Sequence, residues 1–259
     1  MRNILIAILF AVASGQAMAA DVIVDEVPAS VEVRDIVLDI GLGPSIGPKW
    51  PSSKRYRPGV APFFDLQFLR LPLFGEVVTG ESRAFSIYPS IAVIGERDDS
   101  DAAYLRGIPD RDLSVEAGVG ASFETAWVRA VGALRYGVVG HNGFVGEFGA
   151  DLAVKNVPNL ELYVGPRVGF ADDSYMDTYF SVPLTARVLA PFDADAGITT
   201  VGVNLEAKYA ITEKVRLHGE ARWHHFVGDA LDSPITERGN DHEFFAKIGL
   251  TYRFGVDLF

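Results

Sequence analysis

The sequence has no cysteine in its 259 residues, which excludes disulfides, thiol nucleophiles and cysteine-ligated metal sites. Beyond the N-terminus it has no uncharged apolar run approaching the roughly 20 residues of a transmembrane helix. Basic residues are outnumbered, and the formal net charge of −11 argues against nucleic acid as a partner. Because 49% of the residues are nevertheless hydrophobic, the apolar residues must be distributed in short pieces.

The N-terminus is typical of a secretory signal peptide. Arg2 precedes an apolar run from Ile4 to about Ala13, and the small-x-small trio 17–19 follows. We expect cleavage after Ala19, so that residues 1–19 are a signal peptide. Residues 20–35 are predicted to be a periplasmic tail, and residues 36–259 a barrel in the outer membrane of a Gram-negative bacterium.

Apolar and polar residues alternate in segments of about ten residues, separated by clusters of Gly, Pro, Asp, Asn and Ser. In "VGVNLEAKYAI" (201–211), every second residue from Val201 to Ile211 is apolar and faces one way. A period of two predicts β-strands rather than helices. The predicted strands are 36–46, 57–67, 68–78, 84–95, 112–124, 126–139, 143–155, 158–170, 178–190, 199–211, 214–226 and 243–254.

Alternation alone does not say whether the apolar face points into a core or toward lipid. About twelve strands with five or six large apolar side chains each would overfill the interior of a small soluble barrel. A closed barrel is also the only sheet that satisfies every backbone group in lipid. The sequence therefore predicts an all-β, transmembrane, antiparallel up-and-down β-barrel of about 12 strands (10–12), with lipid outside.

The polar faces carry charges of both signs among glycines, as expected for a wet or salt-bridged lumen. The candidate lumen charges are Glu147, Arg167, Glu206, Glu220, Arg222 and Lys247. His218 and His224 share a face with two of them, whereas the adjacent His224 and His225 point to opposite faces and cannot share a metal ion.

An even strand count places both termini in the periplasm. On this strand list, the connections 47–56, 190–198 and 227–242 are expected to be extracellular. The acidic connections 96–110 and 171–177 are then expected on the periplasmic side, as ordinary solvated loops or, alternatively, as a docking surface for a basic partner.

The final strand carries a predicted barrel-assembly signal. "KIGLTYRF" has the order polar-x-Gly-x-x-aromatic-x-aromatic of the last strand of outer-membrane barrels, with Lys247, Gly249, Tyr252 and Phe254 at the defining positions. Five further residues, 255–259, follow it. The expected partners are therefore the barrel-insertion machinery, outer-membrane lipid and lipopolysaccharide.

The C-terminal quarter resembles the MipA/OmpV family of outer-membrane proteins. The resemblance rests on "ARW" at 221–223, on the loop "GDALDSPIT" and on the aromatic last strand. The family-motif residues of the loop are Asp229, Asp232, Ser233 and Pro234. "DDSYMDTYFSV" (172–182) and "DIGLGPSIGPKW" (39–50) extend the resemblance over most of the chain.

The resemblance implies a non-enzymatic scaffold that links the outer membrane to murein enzymes, namely a lytic transglycosylase and a penicillin-binding protein. The alternative function is a small-solute, porin-like channel that affects the uptake of small molecules or antibiotics.

No motif predicts catalysis, a cofactor or a metal site. "GLGPSIG" (41–47) has its third glycine misplaced for nucleotide binding and no helix after it. Ser233, Asp229 and His242 share one loop, but their pattern does not define a nucleophile, a base and an orienting group.

Overall fold

The computed structural model describes residues 36–71, 75–78 and 85–256. The predicted signal peptide and N-terminal tail lie outside the described residues, as does the C-terminal segment 257–259. The described chain consists of β-strands with short helices in the connections. None of the described helices is long and apolar enough to cross a membrane.

Apart from the predicted strands 57–67, 68–78 and 178–190, the strand bounds lie within two residues of the predicted ones. The strands are β1 Ile36–Pro48, β2 Tyr56–Leu71, β3 Gly75–Val78, β4 Phe85–Ile94, β5 Ser114–Glu124, β6 Val128–Val139, β7 Phe144–Val157, β8 Leu160–Ala171, β9 Gly197–Ala210, β10 Val215–Phe226 and β11 His242–Val256. The helices are α1 Asp173–Tyr179, α2 Asp229–Asp232 and α3 Pro234–Arg238, and residues 103–105 form one 3-10 turn.

The strands form one antiparallel sheet in the order β3-β2-β1-β11-β10-β9-β8-β7-β6-β5-β4. The pairing of β1 with β11, from Ile36–Val256 to Ile46–Ala246, joins the first and last described strands. Ten strands make a nearly closed barrel, and the four-residue β3 extends one edge. The predicted all-β antiparallel barrel is confirmed.

The prediction of about twelve strands is wrong, since the barrel has ten. The predicted strands 57–67 and 68–78 fall largely on β2, which pairs with β1 from Pro48–Tyr56 to Ile36–Leu69 without an intervening turn. The segment 178–190 is not a strand. It begins inside α1, whose N-terminus is capped by the Asp172 side chain, and Pro183 then removes a backbone donor.

Among the described residues, the long connections lie at one end of the barrel, apart from the partly described β2–β4 connection, which holds β3 at the opposite end. They are residues 49–55, 95–113, 172–196 and 227–241, and the short connection 140–143 lies with them. The opposite end holds the start of β1, the end of β11 and the short turns 125–127, 158–159 and 211–214. We call these the long-loop end and the short-turn end.

The predicted placement of 96–110 and 171–177 opposite the loop 227–242 is therefore wrong. Both segments belong to the long-loop end. The error follows from the strand count, because splitting β2 reversed the direction of the predicted strands from 84–95 to 158–170. The second incorrectly predicted strand, 178–190, reversed the direction of the following strands again. The loop after β10 was therefore correctly predicted to lie at the same end of the barrel as 47–56.

The two faces of the barrel wall differ sharply in chemistry. Along β11, Ile248 and Leu250 are 52% and 53% exposed, whereas the next residue, Thr251, points to the other face and is 2% exposed. Along β9, Val203 is 45% exposed and Asn204 only 4%. The outer surface is thus a band of apolar side chains and the polar residues point inward, which is the arrangement of a membrane barrel.

Candidate functional site in the barrel interior

The interior holds a cavity of about 710 Å³ whose lining contains charged side chains of both signs beside apolar ones. All six candidate lumen charges line it: Glu147, Arg167, Glu206, Glu220, Arg222 and Lys247. Each belongs to the inward face of its strand, as the alternation predicts. The barrel interior is therefore the candidate functional site that we describe in the following paragraphs.

Asp151 on β7 is the centre of one ion-pair cluster and is 1% exposed. Arg129 Nη2 on β6 lies 2.7 Å from Asp151 Oδ2, and Arg167 Nη1 on β8 lies 2.6 Å from Asp151 Oδ1. The Arg129 guanidinium also sits 3.7 Å from the centre of the Tyr163 ring, a cation–π contact. One carboxylate thus pairs with guanidinium groups from both neighbouring strands.

Other ion pairs join strands that are not neighbours. Arg129 Nη2 lies 2.6 Å from Glu206 Oε2 on β9, and β7 and β8 separate the two strands. Lys208 Nζ on β9 lies 2.7 Å from Asp65 Oδ2 on β2, on the far side of β10, β11 and β1. These pairs therefore cross the interior rather than follow its wall.

A second crossing lies around Arg222 on β10. Its Nη1 is 3.3 Å from Glu147 Oε2 on β7, and its Nη2 is 2.9 Å from Glu220 Oε1. Lys247 Nζ is 3.1 Å from the other oxygen of Glu220 and stands over the Phe63 ring. Ion pairs between strands that are not neighbours therefore span the interior at two places, around Arg129 and around Arg222.

The network includes residues that the list of candidate lumen charges omitted. Asp65 pairs with Lys208, and Asp39 on β1 lies 2.9 Å from Arg253 Nε. Glu116 on β5 lies 2.9 Å from Arg135 Nε and 3.4 Å from His141 Nε2. Their positions on the polar face of each strand were the signal that could have found them. Glu116 and Arg135 belong to the consecutive strands β5 and β6, whereas the partners of Asp65 and Asp39 are far away in sequence.

The long loops pack into a folded layer over one end of the barrel, which we call the loop cap: residues 49–55, 95–113, 172–196 and 227–241. One apolar cluster in it contains Met176, Tyr179, Phe180 and Ala230 against Phe226 of β10. A second joins Trp50, Leu105, Val182 and Ile235 from all four loops. Since these side chains are buried against one another, the loops form a structured cover.

Two arginines of the 95–113 loop hold α1 in the loop cap. Arg97 Nη1 donates to the carbonyl of Tyr179 at 2.9 Å, and Arg111 Nε donates to that of Thr178 at 3.2 Å. Burial, and then the neighbouring Arg111, lower the pKa of Arg97 to about 10, so it stays charged at neutral pH. Cations at the carboxyl end of a helix satisfy its last carbonyls and complement its dipole.

The family-motif loop forms α2 and α3 within the loop cap. Ser233 Oγ accepts from the Ile235 N–H at the start of α3 and donates to the carbonyl of Phe180 at 2.6 Å. Pro234 occupies the first turn of α3, and Asp229 Oδ2 accepts from the Asp195 N–H. Asp232 ends α2. The motif thus shapes the loop and ties it to the segment after α1.

The residues of the predicted assembly signal occupy both faces of β11. Tyr252 and Phe254 point outward near the short-turn end with their ring centres 4.9 Å apart, a position suited to an aromatic belt. A Cβ on Gly249 would lie 2.6 Å from the Leu42 carbonyl oxygen and from Phe63 Cε2, so β11 needs glycine there. Recognition by the insertion machinery stays a prediction.

No group of three or more metal-ligating side chains occurs among the described residues. His224 Nε2 lies 3.0 Å from Glu243 Oε2, and the side chain of His225 lies on the other side of the strand, near Asp241.

An apolar outer band, a charged interior and antiparallel closure define an outer-membrane β-barrel. The model of the family described as "MltA-interacting protein MipA" matches residues 40–254, so the chain belongs to the MipA family. The resemblance read from the C-terminal motifs is confirmed.

Comparison with solved structures gives only remote likenesses. A de novo designed transmembrane β-barrel shares 9% identity at a TM-score of 0.31, covering 85% of this chain and 97% of its own. Neisserial surface protein A shares 11% at 0.30, covering 84% and 94%. OprG from Pseudomonas aeruginosa shares 9% at 0.26, covering 85% and 97%. Likenesses this low carry no argument, and no curated protein sequence matches the chain.

Proposed function

We propose that this protein is a non-enzymatic interaction protein of the outer membrane that docks murein-cleaving and murein-synthesising enzymes at its short-turn end. The observation that carries the proposal is the closed interior. Ion pairs cross the lumen between β6 and β9 and between β7 and β10. Because these ion pairs obstruct the path along the barrel axis, we expect the protein to act by binding partners on its outer surfaces. The description of the family, as an interacting protein of MltA, supports murein enzymes as the partners.

The same observation disfavours the alternative of a porin-like channel. Porins with 16–18 strands keep an aqueous lumen, whereas barrels of about eight strands are filled by side chains. With ten strands, this barrel has ion pairs that cross its interior cavity and a loop cap that covers one mouth. A permeating solute would have to break buried ion pairs and unpack apolar contacts.

The orientation follows from the lengths of the connections. Bacterial outer-membrane barrels have short periplasmic turns and longer extracellular loops. The short-turn end, which also holds the chain ends of the barrel, therefore faces the periplasm and the murein layer. We therefore propose that the docking surface is formed by the turns 125–127, 158–159 and 211–214, and not by the acidic loops 96–110 and 171–177.

Photocrosslinking from opposite ends of the barrel tests the proposal. A photoreactive amino acid replaces Glu213, exposed in the β9–β10 turn, or Leu184, which is 89% exposed in the loop cap. After irradiation of intact cells, we expect mass spectrometry to identify a lytic transglycosylase or a penicillin-binding protein on Glu213 only. Leu184 is the matched control. Murein enzymes on neither position, or on Leu184 alone, would contradict the proposed docking at the short-turn end.

A further inference from the structure

The barrel wall has one seam without a backbone ladder. Over the described residues the sheet begins at β3 and ends at β4, so β2 pairs with β1 and β4 pairs with β5, but β2 and β4 are not paired. Across the seam, Ser86 Oγ reaches the carbonyl oxygen of Leu66 at 3.5 Å. Every other pair of adjacent long strands in the described part of the chain shares a backbone ladder, so we expect the wall to be weakest here.

Prolines on both sides fit a seam that stays unpaired. β2 contains Pro58 and Pro62, and β4 contains Pro89. Proline has no backbone N–H, and in sheets it is confined to edges, strand starts and bulges. Proline on an edge also discourages the addition of a foreign strand. The seam therefore suits the passage of a molecule better than the docking of another β-strand.

The interior cavity reaches this seam. On β6 the cavity is lined by Arg129, Val131, Ala133 and Arg135, all from the inward face. On β2 it is lined by every residue from Arg57 to Leu66, and on β4 by every residue from Tyr88 to Ile94. Inward and outward residues alternate along a strand. A cavity lined by both sets extends between β2 and β4 to the lipid-facing side.

The chemistry along this route changes from apolar to polar. The outward residues at the seam include Val60, Ile91 and Val93, which are 75%, 47% and 62% exposed. Just inside, the Phe63 ring packs edge-on against His218, with ring centres 5.5 Å apart. His218 is 4% exposed, and its Nε2 has no hydrogen-bond partner among the described residues.

Asn204 adds a second buried polar atom to the cavity lining. It is also 4% exposed, and its Oδ1 likewise lacks a hydrogen-bond partner in the described part of the chain. Buried polar atoms are normally hydrogen-bonded, so these two point to a polar group entering the cavity. The cavity volume of about 710 Å³ lies within the usual range for small-molecule sites.

We propose that the β2–β4 seam is a lateral entrance from the membrane, and that the cavity binds a single-chain amphiphile. The apolar chain lies between Val60 and Ile91, and the hydrogen-bonding head group meets His218, with Asn204 about 13 Å further along the cavity. The site goes beyond the docking role and does not depend on it, because lateral access leaves the axial path closed by its ion pairs.

Single-cysteine variants test the entrance cleanly, because the native chain has no cysteine. Ala61→Cys places a thiol on the inward face of β2 in the cavity lining at the seam. Ala153→Cys is the matched control, since Ala153 is inward on β7, 9% exposed and outside the cavity lining. Both proteins are folded into phosphatidylcholine vesicles, and folding is verified by heat-modifiable migration on gels. They are then treated with N-dodecylmaleimide, itself a single-chain amphiphile.

We expect N-dodecylmaleimide to modify Ala61→Cys at least about tenfold faster than Ala153→Cys, a difference of about 1.4 kcal/mol in barrier. The rate is expected to saturate with reagent concentration, as binding before reaction requires. A charged, membrane-impermeant maleimide is expected to react slowly with both variants. Equal dodecylmaleimide rates, or an equally fast reaction of Ala61→Cys with the charged reagent, would overturn the lateral route. A rate that never saturates would overturn the binding site.

Discussion

Replacing Asp151 with asparagine is expected to lower the free energy of unfolding by about 3–5 kcal/mol, the usual cost of removing one partner of a buried ion pair. The substitution keeps the size of the side chain but removes the charge between Arg129 and Arg167. Both guanidinium groups lie within 2.7 Å of Asp151 oxygens, and both residues are less than a tenth exposed. Guanidinium-induced unfolding in detergent micelles, followed by tryptophan fluorescence, measures the change.

Glu213→Gln provides the control for Asp151→Asn. It removes one carboxylate charge from an exposed turn, where substitutions usually change stability by less than about 0.5 kcal/mol. If Asp151→Asn were as mild as this control, the interior network would not be a buried, water-poor assembly. The cavity would then be wet enough to solvate both arginines.

Introducing arginine at Val203 is expected to destabilise the protein in lipid vesicles by about 2–4 kcal/mol. Val203 lies near the middle of β9 on the outward face and is 45% exposed. Lipid surrounds an outward side chain at this depth, so the new charge loses its hydration. Urea titration of folding into phosphatidylcholine vesicles measures the difference between the variant and the parent protein.

Ile211→Arg is the matched control for Val203→Arg. Ile211 is also apolar and 52% exposed, but it lies at the short-turn end just after β9. Near the membrane interface the same substitution costs only about 0–1 kcal/mol. A flat profile, with equal and small losses at both positions, would show that the apolar band does not face the hydrocarbon layer.

The sequence was sufficient to predict the fold class and the inward face. Polar residues such as Glu206 and Lys247 recur at every second position of their strands, and this period is preserved wherever one face is buried. Tertiary contacts do not alter it, so the alternation could be read without a structure. The motifs in the last quarter of the chain are short contiguous sequences, so the family could also be recognised without a structure.

Strand count and loop placement were harder to predict because they depend on where the chain turns. Segment 178–190 alternates like a strand, yet Asp172 starts a helix just before it, and Arg97 and Arg111 from another loop bind the end of that helix. These contacts override the local pattern, although Arg111 and Arg97 lie 67 and 82 positions before the residues whose carbonyls they bind. The pairing of Asp65 with Lys208 is hidden for the same reason, since 143 residues separate the two.

Electrical recording in planar lipid bilayers tests most directly whether the ion-paired interior closes the barrel. The folded protein is added to a bilayer, with a porin studied in parallel as the positive control. We predict no discrete, stable conductance steps from this protein, because ion pairs cross its lumen and the loop cap covers one mouth. Reproducible single-channel openings under the conditions in which the porin conducts would contradict a closed interior and favour the channel function.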